Sequence, residues 1–163
     1  MKNFIIYILT AAALMLSLDL YAVSPDSPVA QMLDLQKDSK RLDGTKLKIA
    51  KPFIKRTPMG VIIDEIDMMI ICPLDNNKER ADILAQAGKI LKNYILVREI
   101  DDELSKMAIY IDNPQGETFS EIIICNSRPE NSIMLFSGNF TVESLMKVGE
   151  VSEQQRKHLK KNN

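Results

Sequence analysis

Two clusters of carboxylates contain the residue types most able to perform chemistry in this chain. Both lie near predicted element ends; their members are Asp64, Glu65 and Asp67 in the first, and Glu99, Asp101, Asp102 and Glu103 in the second. Paired carboxylates can act as general acid and base, and grouped carboxylates can bind calcium. Neither cluster has the ligand spacing of an EF-hand loop, and charge runs at turns are ordinarily solvated. We therefore predict no catalytic and no metal-ligating residue, and keep an enzyme with a carboxylate-only site as the alternative hypothesis.

Other common chemistries lack the side chains that they need. A Ser/His/Asp or Cys/His system requires a positioned imidazole, and the single histidine, His158, falls in a predicted polar tail. Cys72 and Cys125 are not in a CxxC arrangement and have no clustered partners for zinc. Neither common form of glycine-rich phosphate loop occurs. The sequence thus predicts no cofactor.

The two cysteines allow two states. In an oxidising compartment an even number of cysteines is compatible with a disulfide between Cys72 and Cys125. Both lie inside apolar runs, where a free cysteine behaves as a small hydrophobic residue. A bridge also requires the two Cα atoms to lie within about 7 Å of one another. We favour free thiols.

The elements that would position these residues indicate an α+β fold. The apolar run 67–74 reads as a central strand buried on both faces, and 94–101 as another strand. Residues 106–138 alternate with turn clusters, as in a three-stranded antiparallel meander. Helix 78–93 carries one apolar stripe, formed by Ile83, Leu84, Ala87, Ile90, Leu91 and Tyr94. The pattern predicts a two-layer, mainly antiparallel sheet with the C-terminal meander packed against helices.

The flanks of this core carry weaker signals. Residues 46–66 predict two helical pieces, because Pro52 interrupts the pattern and Thr57-Pro58 restarts it. Ser27-Pro28 predicts the start of a short helix in a polar, weakly attached lead-in, 23–45. Thr141 is expected to cap a last helix after a turn at Ser137-Gly138. Residues 150–163 predict a frayed basic tail.

The N-terminus resembles an export signal. Residues 1–22 contain Lys2, an apolar run over 4–18 and the sequence Leu20-Tyr21-Ala22, which fits cleavage after Ala22. The run is shorter than the ~20 residues of a membrane-spanning helix. We expect a single domain, 46–149, in the periplasm or at the outer membrane. No cysteine follows the cleavage site, so a lipid anchor is not indicated.

Three segments resemble one family of small exported proteins of the Bacteroidetes type, domain of unknown function 4252. The matching segments are 106–110 (KMAIY), 121–124 (EIII) and 136–147, from Phe136-Ser137-Gly138 to Leu145-Met146-Lys147. The resemblance covers roughly 53–147 and implies an α+β domain outside the cytoplasm. It brings no catalytic residues, and many relatives look lipid-anchored where this chain lacks the cysteine.

The sequence therefore favours a non-catalytic envelope protein that binds a protein partner or has a structural role. The net charge of −1 gives no indication of nucleic acid. The basic residues of the tail could contact anionic lipid or an acidic partner, although solubility is the simpler interpretation. A pocket joining Glu65 or Asp67 to Glu99 or Asp101 would favour the enzyme. An exposed apolar or sheet-edge surface would favour the binding protein.

Overall fold

A computed structural model describes residues 27–74, 77–101, 103, 106–128 and 131–161, with the backbone alone described at 77–79 and 152–161. Its elements, in chain order, are α1 Pro28–Asp34, β1 Lys40–Asp43, α2 Gly44–Ile54, a 3₁₀ helix Pro58–Glu65, β2 Ile66–Pro73, α3 Asn77–Leu91, β3 Ile95–Asp101, β4 Lys106–Ile111, β5 Thr118–Arg128, β6 Ser132–Thr141 and α4 Val142–Lys161. No described helix is both long and apolar enough to cross a membrane.

Within the described residues, the strands form one sheet in the order β1-β2-β6-β5-β4-β3. Every neighbouring pair is antiparallel. The predicted meander is confirmed as β4, β5 and β6, and β3 adds a fourth strand to it. β6 continues to Thr141, so the turn predicted after Ser137-Gly138 is wrong: the chain passes directly from β6 into α4.

Helices cover both faces of this sheet. On the front face, α2, the 3₁₀ helix and α4 bury one apolar cluster that includes Met69, Phe136 and Phe140. On the back face, α1 and α3 bury a second cluster that includes Ile70 and Leu135. The predicted α+β class, with helices layered on a mainly antiparallel sheet, is confirmed, and the helix–sheet layer pair occurs on each face. The prediction that β2 is a central strand buried on both faces is also confirmed.

The described part of the lead-in belongs to the core. Ser27 accepts a hydrogen bond from the Ala30 amide at 3.3 Å, which confirms the predicted cap of α1. Leu33 is fully buried, and Leu42 in β1 is 2% exposed. Arg41 pairs with both Asp34 and Asp43, which joins α1 to β1. The interpretation of this segment as weakly attached is wrong, because one short helix and one short strand suffice to bury its few apolar residues.

Residues 44–65 fold as two helical pieces, but Pro52 is not the boundary. Pro52 lies inside α2, which ends at Ile54. The second piece begins at Pro58 after Thr57, as predicted, and is a 3₁₀ helix. Gly60 allows the two pieces to approach, since a Cβ there would lie 2.3 Å from the Lys55 carbonyl oxygen. The sequence pattern therefore predicted the start of the second piece correctly and the end of the first piece wrongly.

Two further predictions require correction. Ile83 and Ala87 of α3 are buried against the sheet, but Leu84 is 40% exposed. The predicted apolar stripe therefore wrongly included Leu84 among the buried residues. The sequence predicts a frayed tail from Glu150, yet the backbone of α4 is helical as far as Lys161.

Candidate functional site

The structure does not bring the two carboxylate clusters together. Asp64, Glu65 and Asp67 lie where the 3₁₀ helix meets β2, whereas Glu99 and Asp101 lie on β3. These strands are four positions apart in the sheet, a separation of about 19 Å. The carboxylate pairs of glycoside hydrolases, for comparison, are about 5–9.5 Å apart. Asp102 lies outside the described residues, and Glu103 is exposed.

Glu65 is instead joined to the start of α4. The Ser144 hydroxyl donates to Glu65 Oε1 at 2.8 Å, and the Ser144 amide donates to Thr141 Oγ1 at 3.1 Å. The latter bond confirms Thr141 as the cap of α4. Ser144 is 6% exposed, so its hydroxyl is inaccessible to a substrate. We interpret the group as a structural link between α4 and the 3₁₀ helix, which no short sequence pattern indicated.

Asp101 is the centre of an exposed ion-pair network across three strands. Its carboxylate contacts Lys106 Nζ at 2.8 Å and Arg128 Nη2 at 2.5 Å. The hydrogen bond from Lys106, with the charges of both basic residues, holds the pKa of Asp101 below its usual value. The Asp101 carboxylate on β3 therefore has one basic partner on β4 and another on β5.

A buried polar pair lies on the back face. The Tyr94 hydroxyl donates to Glu121 Oε2 at 2.6 Å, and Glu121 is 6% exposed. Burial, reinforced by this bond, raises the pKa of the Tyr94 phenol well above its usual value. The sequence pattern placed Tyr94 in the apolar stripe of α3 and did not indicate a partner 27 residues away.

The cysteines are free thiols, as favoured from the sequence. Cys72 on β2 and Cys125 on β5 both pair with Ile133 on β6, the strand between them. Their Cα atoms are therefore two strand spacings, about 10 Å, apart. That distance is too long for a disulfide. Burial raises the pKa of Cys72, and raises that of Cys125 to about 11.

Among the described residues, no group of three or more His, Cys, Asp or Glu side chains is placed to hold a metal ion. The side chain of His158 lies outside that description.

The most distinctive surface is the edge strand β3. It pairs with β4 on one side only and forms the last strand of the sheet among the described residues. Three consecutive apolar residues at its start are exposed: Ile95 by 42%, Leu96 by 49% and Val97 by 39%. The opposite edge is β1, which has only four residues. An edge that is both longer and apolar is the kind that other chains can pair with.

An apolar groove adjoins this edge on the front face, between α4 and strands β3 and β4. Its volume is about 340 Å³. Its apolar lining is formed by Val97, Ile100, Met107, Ile109, Leu145, Met146 and Val148. Met146 is 63% exposed, so the groove opens to solvent along α4. We call this feature the β3 groove. None of the carboxylates singled out from the sequence lines it.

Comparison with known proteins identifies no relative. No family model, no curated protein and no solved structure matches the chain. The resemblance to domain of unknown function 4252 therefore stays a prediction.

Proposed function

We propose that the chain is an exported, non-catalytic envelope protein that binds an extended segment of a protein partner along β3. The observation that carries this proposal is the run Ile95–Val97, exposed on a sheet edge beside the β3 groove. A partner segment would add a strand to the sheet, and its alternate side chains would enter the groove. Main-chain hydrogen bonds supply affinity in such complexes, and pockets for alternate side chains supply specificity.

The composition of β3 supports this role. Natural edge strands are usually protected by shortness, charges, bulges or a covering element. The second half of β3 has charges, at Arg98, Glu99 and Asp101, whereas the irregular pairing with β4, between Leu96 and Arg98, falls at Val97 in the first half. The first half has three apolar side chains in a row and nothing of the described chain beside it. A partner would bury these side chains and pair the free backbone groups.

The polar side chains support a non-catalytic role. Glu65, Asp101 and Glu121 each have hydrogen-bond or ion-pair partners that join elements of the fold. The groove has an apolar lining with Arg98 and Glu150 at its rim. A binding role needs no reactive group, whereas a hydrolase needs an accessible nucleophile, a metal or a carboxylate pair.

Export forms the second part of the proposal. The n-region, apolar run and small residue at Ala22 support cleavage there, with the mature chain in the periplasm or at the outer membrane. The first residue of the native protein should then be Val23. N-terminal sequencing of protein from its own cell envelope tests this, and a retained Met1 would refute it.

The binding proposal is tested by selecting a displayed library of random twelve-residue peptides on the chain from Val23. Selected peptides should bind the wild type and lose at least about tenfold in affinity for Val97→Lys, because a charge would enter the apolar groove. The matched control is Ile49→Lys, at a helix position 48% exposed and outside the β3 groove. No selected peptide, or equal loss in both variants, would overturn the proposal.

A further inference from the structure

We propose that the exposed side of α2 binds the surface of a membrane that contains anionic phospholipid. We call this side the α2 surface, and its residues are Lys48, Ile49, Phe53, Lys55 and Arg56. It is separate from the β3 groove, and lipid binding there does not depend on the strand addition proposed above. Basic and apolar side chains combined in this way are typical of helices that lie in the plane of a bilayer interface.

The apolar part of the α2 surface is the pair Ile49 and Phe53. The inner side of α2 is already covered, since Leu47, Ala50 and Ile54 are buried in the front-face cluster. Ile49 and Phe53 are exposed, and at positions i and i+4 they are neighbours on the helix surface. The helix therefore presents a second apolar stripe to solvent, away from the core, and this stripe includes an aromatic side chain.

The charge of the α2 surface has one sign. Residues 44–63 contain five basic residues and no acidic one. Among the described residues, Lys51 is the only one of the five in an ion pair, at 3.8 Å from its partner. Lys48, Lys55 and Arg56 are exposed. The surface therefore keeps a positive charge, which attracts anionic groups over a Debye length of about 8–10 Å.

The basic residues flank the apolar pair. With 3.6 residues per turn, Lys46 lies to one side of Ile49 and Phe53 on the helix, and Lys48 lies to the other. The long side chains of lysine and arginine can place their charges in the headgroup layer while neighbouring apolar groups go deeper. The α2 surface can therefore contact lipid phosphates and acyl chains at the same time.

A bilayer fits this surface better than an acidic polypeptide does. The side chains project from the outside of a helix, whereas polypeptide segments are recognised by grooves and sheet edges. A fluid interface needs no matching cavity, because the apolar side chains enter it to a depth of about 5–10 Å. Binding to an acidic polypeptide is treated as an outcome of the test.

The position of α2 leaves the β3 edge accessible. Helix α2 packs on β1 and β2, at the other end of the sheet. β1 and β3 are five strand spacings apart, which corresponds to about 24 Å. A molecule attached to lipid through α2 therefore keeps β3 free for a protein partner.

The first experiment measures sedimentation of the chain from Val23 with vesicles of phosphatidylglycerol and phosphatidylethanolamine in equal parts. This start omits the apolar run 4–18, which would itself enter a bilayer. Changing Lys48, Lys55 and Arg56 together to Gln should weaken binding at least about tenfold, since each basic residue near an anionic surface contributes about fivefold in affinity. In the matched control, binding should change less than about twofold, because the same charge is removed away from the α2 surface. The control replaces three exposed lysines in or just beyond α1 and α3 by Gln: Lys37, Lys89 and Lys92.

The second experiment measures entry of the apolar pair into the interface. The chain has no tryptophan, so Phe53→Trp introduces a single indole on the α2 surface. Leu35→Trp is the control, at an exposed position after α1. On the same vesicles, fluorescence from position 53 should shift to the blue and be quenched by lipid that carries a doxyl group near its headgroup. Fluorescence from position 35 should stay unchanged.

The outcomes separate lipid binding from strand addition. Val97→Lys should lose the selected peptides and keep the vesicles, whereas the triple variant of the α2 surface should do the reverse. Lipid binding at α2 is overturned if the wild type ignores vesicles, if both triple variants lose equally, or if the indole at position 53 stays in water. Peptide selection remains a separate test of the proposed function in each case. Polyglutamate that binds the wild type in place of vesicles, and is lost in the triple variant, would assign the α2 surface to an acidic polypeptide.

Discussion

Gly138 lies where the fold leaves no room for a side chain larger than a hydrogen atom. A Cβ at this position would lie 1.9 Å from the Glu65 carbonyl oxygen, a backbone atom that cannot rotate away. Gly138 pairs with Ile66 where the 3₁₀ helix enters β2. The close approach of β6 to this junction therefore depends on glycine.

We predict that Gly138→Ala lowers the free energy of unfolding by about 1–3 kcal/mol or more, because the backbone must shift. Gly88→Ala is the matched control, since its Cβ would meet no atom within 4 Å. Alanine is favoured over glycine inside a helix, so the control should gain about 0.5–1 kcal/mol. Urea unfolding monitored by circular dichroism measures both. Equal stability of Gly138→Ala and wild type would contradict the proposed contact.

The thiols give a second prediction at the residue scale. With a pKa of about 11, Cys125 is almost entirely protonated at pH 8. Only about one molecule in a thousand then carries the thiolate that reacts, against roughly a quarter for an unperturbed thiol. Iodoacetamide should modify the native protein slowly and modify both cysteines rapidly in guanidinium without reductant. Mass spectrometry counts the added groups. A requirement for reductant would show a disulfide.

At the scale of elements, α3 shows which half of a predicted stripe is core. Ile83 is 6% exposed and Leu84 is 40% exposed, while Leu91 is half-buried at the end of the helix. Ile83→Ala should cost about 2–5 kcal/mol, as for other buried residues. Leu84→Ala should stay within about 1 kcal/mol. Leu91→Ala should fall between them, below the 2–5 kcal/mol that the sequence pattern predicts for a core position. The reverse order in denaturant unfolding would show a rotated helix.

Tyr94 joins the end of α3 to β5 through Glu121. Tyr94→Phe leaves a buried carboxylate without its phenol donor, at a cost of about 1–3 kcal/mol at pH 8. Glu121→Gln keeps an acceptor and should cost less. Because the pKa of Tyr94 is raised by folding, its contribution is complete below pH 10 and declines as pH rises above that value. As the pH rises from 9 to 11, the free energy of unfolding should therefore fall less for Tyr94→Phe than for the wild type. Parallel pH profiles would contradict this.

At the scale of the whole molecule, strands and helices could be predicted from the sequence where one local pattern determines them. The apolar run of β2 and the alternation of β4 to β6 are examples, as is the Thr141 cap. Contacts between distant residues were not readable: Ser144 and Glu65 are 79 positions apart, and Tyr94 and Glu121 are 27 apart. The exposed edge was missed for the same reason. The sequence predicts only that 94–101 is a strand, and it is the strand order that places Ile95–Val97 at the edge of the sheet.

The position of β6 between β2 and β5 has a consequence for biosynthesis. β2 ends at Pro73 and its long partner begins at Ser132, so 132 − 73 = 59 residues must be translated before they can pair. At about 5–20 residues per second, this takes roughly 3–12 s. During that interval the apolar run Met68–Cys72 has only the four residues of β1 as a sheet partner. When the chain from Val23 is translated in vitro and stopped after Arg128, it should therefore bind a hydrophobic dye and a trigger-type chaperone, whereas extension through β6 should abolish both signals. Dye binding that is equal before and after β6 would show that the sheet assembles without its last strand.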